Sequence, residues 1–213
     1  MTDWLALAAE KQARYSSSHG ALDERAVVRL GNAAYAAGLA LLMARSPDAA
    51  EWLRRAAERW RASWDLGAGV DSWGRPVGAL KASVLAHDDD TAVELACWTL
   101  GLGTVTAASP IGRYGGALAL VVARQYDEAA DVAATLCALD DFPRDVGDAL
   151  VAIASSDAGA LPPALSSVVR SFETRDDYLE DVAVADTALV LHSLARTRGL
   201  ESVLPCSPVL PAP

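Results

Sequence analysis

Residues 84–96 read VLAHDDDTAVELA, one histidine and three consecutive aspartates between two apolar runs. An imidazole beside a carboxylate can hold a divalent cation, and a His-Asp pair completed by a second His and a distant Asp is the ligand set of helical metal-dependent phosphohydrolases. Those ligands must converge from different helices. The upstream histidine is His19, in the loop-like stretch SSSHG, and nothing in the pattern brings it toward His87. A structural role explains the same residues more simply: His87 closing one helix and Asp88, Asp89 and Asp90 opening the next would complement both helix dipoles. The turn is therefore the favoured reading, with no metal ligand, catalytic residue or cofactor assigned.

Other motifs of known chemistry are missing. There is no HExxH, GxSxG, GxGxxG or phosphate-binding loop, and no Glu is followed three places later by His as a helical di-iron bundle requires. Two ionisable residues in the closing apolar stretch VAVADTALVLHSLA do resist a surface explanation. On a helix over 178–198, Asp186 would share a face with Leu179, Val182, Ala183, Val190 and Leu194. It is expected to be largely buried and to pair with an Arg or with backbone amides, because a dry carboxylate must find a partner or take up a proton. His192, among alanines, reads as a satisfied core histidine.

Helix starts are unusually legible. Pro47, Pro76, Pro110 and Pro143 each precede an apolar, alanine-rich run, and proline suits a first turn where its missing N–H has no intrahelical partner. The last three recur at intervals of 34 and 33 residues, the period of a helical hairpin repeat. Asp88–Asp90, Asp127 and Asp157 mark a second start within each unit, as N-caps. Pro162 and Pro163 delay the last of these.

Three helices come first, near 3–17, 22–45 and 47–65. In the third, Leu53, Ala56, Ala57, Trp60 and Trp64 form one apolar stripe, while Arg54, Arg55, Arg59 and Arg61 alternate with Glu51, Glu58 and Asp65 as a solvated, ion-paired face. LGAGVDSWG at 66–74 is a loop that can hinge. Five of the six tryptophans lie at or before it. Gly199 ends the last helix in a left-handed cap, and the proline-rich tail cannot continue it. The fold class expected is all-α: an irregular, tetratricopeptide-like stack of antiparallel helical hairpins with about ten helices. It comprises one domain over 1–204 and a Pro-rich C-terminal tail over 205–213.

The formal charge of −10 excludes nucleic acid and anionic membrane as favoured partners, since both would repel the chain, and permits a basic one. Cys97, Cys137 and Cys206 offer neither a disulfide framework nor a zinc spacing. The N-terminus MTDWLALAAEKQARY has no basic leader, and a cytoplasmic protein is expected.

Three stretches, AERWRASWDLGAG, VGALKASVLAHDDDTAVELA and VADTALVLHSLARTRGLESVLPCSPVLP, resemble immunity protein family 49 of bacterial polymorphic toxin systems. The resemblance implies a non-enzymatic helical antidote that binds and blocks a cognate toxin, and the partner expected is a basic toxin domain. A helical-repeat adaptor for peptides or proteins is the second reading, and a helical metal-dependent hydrolase the third. Alternation of the hairpin turns would gather Asp140, Asp141, Asp145, Glu173, Asp176 and Asp177 at one end as the partner-binding rim. Asp140 follows the last turn of a helix, where the dipole disfavours an anion, so a basic partner would account for its presence.

Overall fold

The computed structural model describes residues 2–17 and 23–212, and His19 lies outside them. Ten α-helices and no strand occur among the described residues: α1 (Trp4–Ser16), α2 (Glu24–Met43), α3 (Ala49–Asp65), α4 (Gly74–Leu85), α5 (Asp89–Gly101), α6 (Pro110–Val122), α7 (Tyr126–Cys137), α8 (Arg144–Ala154), α9 (Leu161–Glu173) and α10 (Asp186–Thr197). Consecutive helices pack as neighbours from α1 to α9. Alternate helices also touch, α4 against α6 and α6 against α8, which makes an inner row. Helix α10 lies on that row, against α4, α8 and α9. α2 has the length and apolarity that a membrane span would need, but most of it is buried in the core.

The hairpins α2–α3, α4–α5, α6–α7 and α8–α9 are joined by the same turn. Each leading helix ends on a residue with positive φ: Arg45 at 56°, His87 at 52°, Arg124 at 60° and Ser156 at 59°. The N–H of the next residue reaches back to a carbonyl one turn earlier, as in Ser46 to Leu41, Asp88 to Ser83, Gln125 to Leu120 and Asp157 to Ala152, all at 2.8–3.1 Å. This double-bonded left-handed ending satisfies carbonyls that the helix leaves free. His87 is thus the counterpart of an arginine or a serine in sister turns, and its position follows from the hairpin.

Asp88 is the cap of α5. Its carboxylate accepts from the Thr91 N–H at 3.2 Å and lies 3.3 Å from Arg54 Nε on α3. Asp89 and Asp90 are exposed in the first turn. Asp88→Ala is expected to cost about 0.5–2 kcal/mol and the other two substitutions less. His87→Gly should keep or raise stability by removing the left-handed strain. Urea melts check both, and a large loss at His87 with none at Asp88 would sink the turn assignment.

Other starts depart from the sequence reading. Asp127 is not the cap of α7: the helix opens at Tyr126, and Asp127 lies in its first turn. Asp157 is not the cap of α9 either: it accepts from the Gly159 and Ala160 N–H groups at 2.9 Å in the turn that precedes the helix, and α9 opens only at Leu161, after Ala160, with both prolines in its first turn. The last helix is shorter than its apolar pattern. Residues 178–185, expected to be helical, form a 3-10 turn at Leu179–Asp181 and then an extended segment. Val182 and Val184 are buried there on alternate positions, and the Ala185 N–H donates to the Val209 carbonyl at 2.8 Å. Pairing with the tail supplies what a helical bond would have supplied, and β-branched residues suit an extended chain. The tail is itself anchored, with Val209 and Leu210 in the core and Arg45 bonded to the Ala212 carbonyl. Gly199 closes α10 with φ of 85°.

Candidate functional site

The start of α10 brings together side chains from two other helices. Asp186 is its first residue, and the Asp186 carboxylate lies 2.6 Å from Lys81 Nζ of α4 and accepts from the Tyr35 hydroxyl of α2 at 2.7 Å. Lys81 also donates to Thr187 Oγ1 at 3.0 Å. Both charged side chains are mostly enclosed, Lys81 with 12 % and Asp186 with 14 % of its surface accessible. The partner differs from the expected arginine. A lysine stem from α4 lies beside the start of α10, while the arginines of α3 are engaged elsewhere: Arg55 with Glu51, Arg61 with Asp65, Arg54 with Asp88 and Arg59 with the Tyr15 hydroxyl.

Burial raises the Asp186 pKa, but the Lys81 charge and the hydrogen bonds from Lys81 and Tyr35 outweigh it and leave the carboxyl below its usual value. Tyr35 is pushed well above the ordinary phenol range, by burial first and by the Asp186 charge second. Tyr114 of α6 is raised for the same two reasons; the nearby Thr187 hydroxyl offsets this in part, although no hydrogen bond of ordinary geometry engages the buried Tyr114 hydroxyl. A carboxylate held ionised beside an ammonium is a pinned ion pair. The carboxylate is held ionised by its partners, so a proton is harder to place on Asp186 than on a free carboxyl.

This ion pair forms one wall of a cavity of about 510 Å³. Trp60 of α3, Val77 of α4 and Phe172 of α9 supply apolar wall, and Asn32, Arg75 and Arg175 supply polar edges. Arg75 is tied to Glu24 and to the Ser63 carbonyl. The segment after α9 closes one side and is held in an uncommon conformation, with Glu180 and Asp181 at φ of 55° and 60°. Arg14 of α1 pairs with Glu180 there. The non-helical segment 174–185 therefore contributes Arg175, Asp177, Tyr178, Leu179, Val182 and Val184 to the cavity lining.

The six acidic positions of the expected rim are distributed as follows. Asp140 and Asp141 are exposed between α7 and α8, Asp145 is half-buried in the first turn of α8, and Glu173, Asp176 and Asp177 are exposed at and after the end of α9. Glu173 accepts from the Ser207 hydroxyl of the tail at 2.6 Å, and Asp177 stands at the cavity mouth. Asp140, Asp141, Asp145, Asp176 and Asp177 have no ion-pair partner among the described residues. His192 is half-buried and donates from Nε2 to the Ser202 carbonyl at 2.9 Å.

Sequence reasoning singled out Asp186 but missed Lys81, Tyr35 and Asn32, which lie on apolar helices whose periodicity marks them only as interior positions. No protein-family model, no curated protein and no solved structure matches the chain.

Proposed function

We propose that the protein is a non-enzymatic immunity protein that binds a basic toxin domain through carboxylates between α7 and α8 and after α9. The observation that carries this reading is the set of exposed, unpaired carboxylates Asp140, Asp141, Asp176 and Asp177 in a chain of net charge −10. Unpaired surface charge of one sign accelerates encounter with an opposite field, and desolvation on docking gives it specificity. The resemblance to immunity protein family 49 supplies the class of partner. Protein binding of this kind needs no cofactor and belongs in the cytoplasm, where such toxins act.

The adaptor reading loses ground on one feature. A helical-repeat adaptor takes its peptide along the inner row of helices, and here α10 lies against that row. The metal hydrolase reading loses ground at His87, which is an exposed member of a repeated turn, and at Asp88, which is engaged with Thr91 and Arg54.

Charge reversal tests the proposal. Asp140→Lys with Asp141→Lys should slow association with a cognate basic toxin domain by about tenfold at low salt and flatten its salt dependence, with the helical spectrum unchanged. Association rates equal to those of the unaltered protein at both low and high salt would refute the assigned surface.

A further inference from the structure

We propose that the cavity at the start of α10 is a binding site for a small amphipathic carboxylate, a ligand with an apolar or aromatic body and one anionic head. The inference stands apart from toxin binding.

The groups facing the cavity are unbalanced in hydrogen-bonding sense. Lys81 has three N–H donors, and Asp186 and Thr187 engage two of them. Asn32 uses its carbonyl oxygen to accept from Trp60 Nε1 at 3.0 Å, which fixes the amide so that its NH2 is the free end. That NH2 has no partner among the described residues. Arg175 lies flat on Phe172, its guanidinium carbon 3.7 Å from the ring centroid, and forms no ion pair among the described residues. Acceptors are scarcer. Asp186 already receives bonds from Lys81, Tyr35 and Thr187, which leaves Asp177 at the mouth as the free carboxylate, while the lining hydroxyls, such as that of Ser72, can serve in either sense. The cavity therefore has donors to spare and seeks an acceptor-rich head.

Helix geometry points the same way. Two helices of 12 residues each, α4 and α10, begin at the cavity wall, with Gly74 and Asp186 in its lining. Their positive ends favour an anion there. The overall charge of −10 opposes any anion at a distance, but at physiological salt its reach is only about 8 Å, so the donors in contact with the head decide the outcome. The rest of the wall sets the body of the ligand. Trp60, Val77 and Phe172 offer flat apolar surface, and about 510 Å³ is a volume typical of small-molecule sites. Arg175, stacked on Phe172, lies in the lining with its charge available to an anionic head.

The test uses the whole protein, two carboxylates (2-naphthylacetate and decanoate) and the neutral 2-naphthylacetamide, followed by nitrogen-edited NMR. Saturable shifts of the Asn32 side-chain amide and the Trp60 indole are expected for at least one carboxylate, with the neutral amide binding about tenfold more weakly or worse. Asn32→Asp keeps the acceptor for Trp60 and replaces the donor end by a negative oxygen, so carboxylate affinity should fall by about tenfold or more. Arg175→Gln, at an exposed position, should weaken the carboxylate more than the neutral amide. Absence of saturable shifts with both carboxylates up to about 10 mM overturns the proposal. Equal binding of acid and amide overturns it too, as does carboxylate affinity indifferent to both substitutions.

Discussion

Trp60→Ala is expected to destabilise the protein by about 3–5 kcal/mol, a large share of the roughly 5–15 kcal/mol that holds a domain folded. The indole joins three successive helices. It is 4 % exposed on α3, and a Cβ added to Gly31 of α2 would come within 2.7 Å of its Cδ1, as one added to Gly78 of α4 would of its Cζ3. Its Nε1 donates to Asn32, and its ring lies 5.0 Å from that of Tyr35. Removing it empties a slot that both glycines shape and leaves the Asn32 carbonyl oxygen without its donor. Gly31→Ala and Gly78→Ala should also destabilise, although alanine gains about 1 kcal/mol in helix propensity, because overpacking against a rigid ring costs about 1–3 kcal/mol. Urea melts that place Trp60→Ala within about 1 kcal/mol of the unaltered protein would refute the three-helix role, since that is the ordinary effect of any substitution.

The stripe Leu53, Ala56, Ala57 and Trp60 could be read from spacing alone because one apolar face per helix turn is a local property of the chain. The same holds for the hairpin starts at Pro110 and Pro143, where a missing N–H and a fixed φ act on the first turn itself. What failed was non-local. Residues 178–185 carry a helical apolar pattern, yet the bond from Ala185 to Val209 and the anchoring of the tail override it, and no window shorter than that separation contains the competing partner. The ion pair was half legible for the same reason. Asp186 is conspicuous as a charge in an apolar run, whereas Lys81 in VGALKASVL has a long stem that suits surface and interior equally.

The common turn of the four hairpins was hidden differently. Its left-handed position is occupied by two arginines, a histidine and a serine (Arg45, Arg124, His87 and Ser156) and by no glycine, because the conformation is imposed by the two backbone bonds that close the turn. A histidine at one of them draws the eye as a ligand. Its sisters show what the position requires. By alternation along the stack, these turns share one end of the molecule, while the cavity segments 72–81 and 172–187 fall toward the other with the turn bearing Asp140 and Asp141. Asp177, at the cavity mouth, belongs to both features. A basic partner that docks there would meet the entrance that a small carboxylate must use.

Single replacements in the ion pair, Lys81→Met or Asp186→Ala, are each expected to cost about 2–4 kcal/mol, because each leaves the other charge enclosed without its partner. The double replacement Lys81→Met with Asp186→Leu should cost less than either one, since no charge is then stranded. Tyr35→Phe removes a bond to a charged acceptor and should cost about 1.5–3 kcal/mol, whereas Tyr114→Phe, whose hydroxyl makes no hydrogen bond of ordinary geometry, should cost less than that. The pair also sets the response to pH. The Asp186 pKa is lower in the folded protein than in the unfolded chain, so the unfolded chain takes up the proton first on acidification. Its contribution is complete above the unfolded value of about 4 and is lost as pH falls from there through the folded value. The Tyr35 phenol is raised, so its contribution is complete below the unfolded value of about 10 and drains away as pH climbs beyond it. Asp186→Asn should accordingly flatten the acid limb of the stability profile and also soften the alkaline limb, since the Asp186 charge helps to raise both buried phenols. Urea midpoints across the pH range read both limbs, and an acid limb unchanged in Asp186→Asn would show that other carboxylates govern acid unfolding.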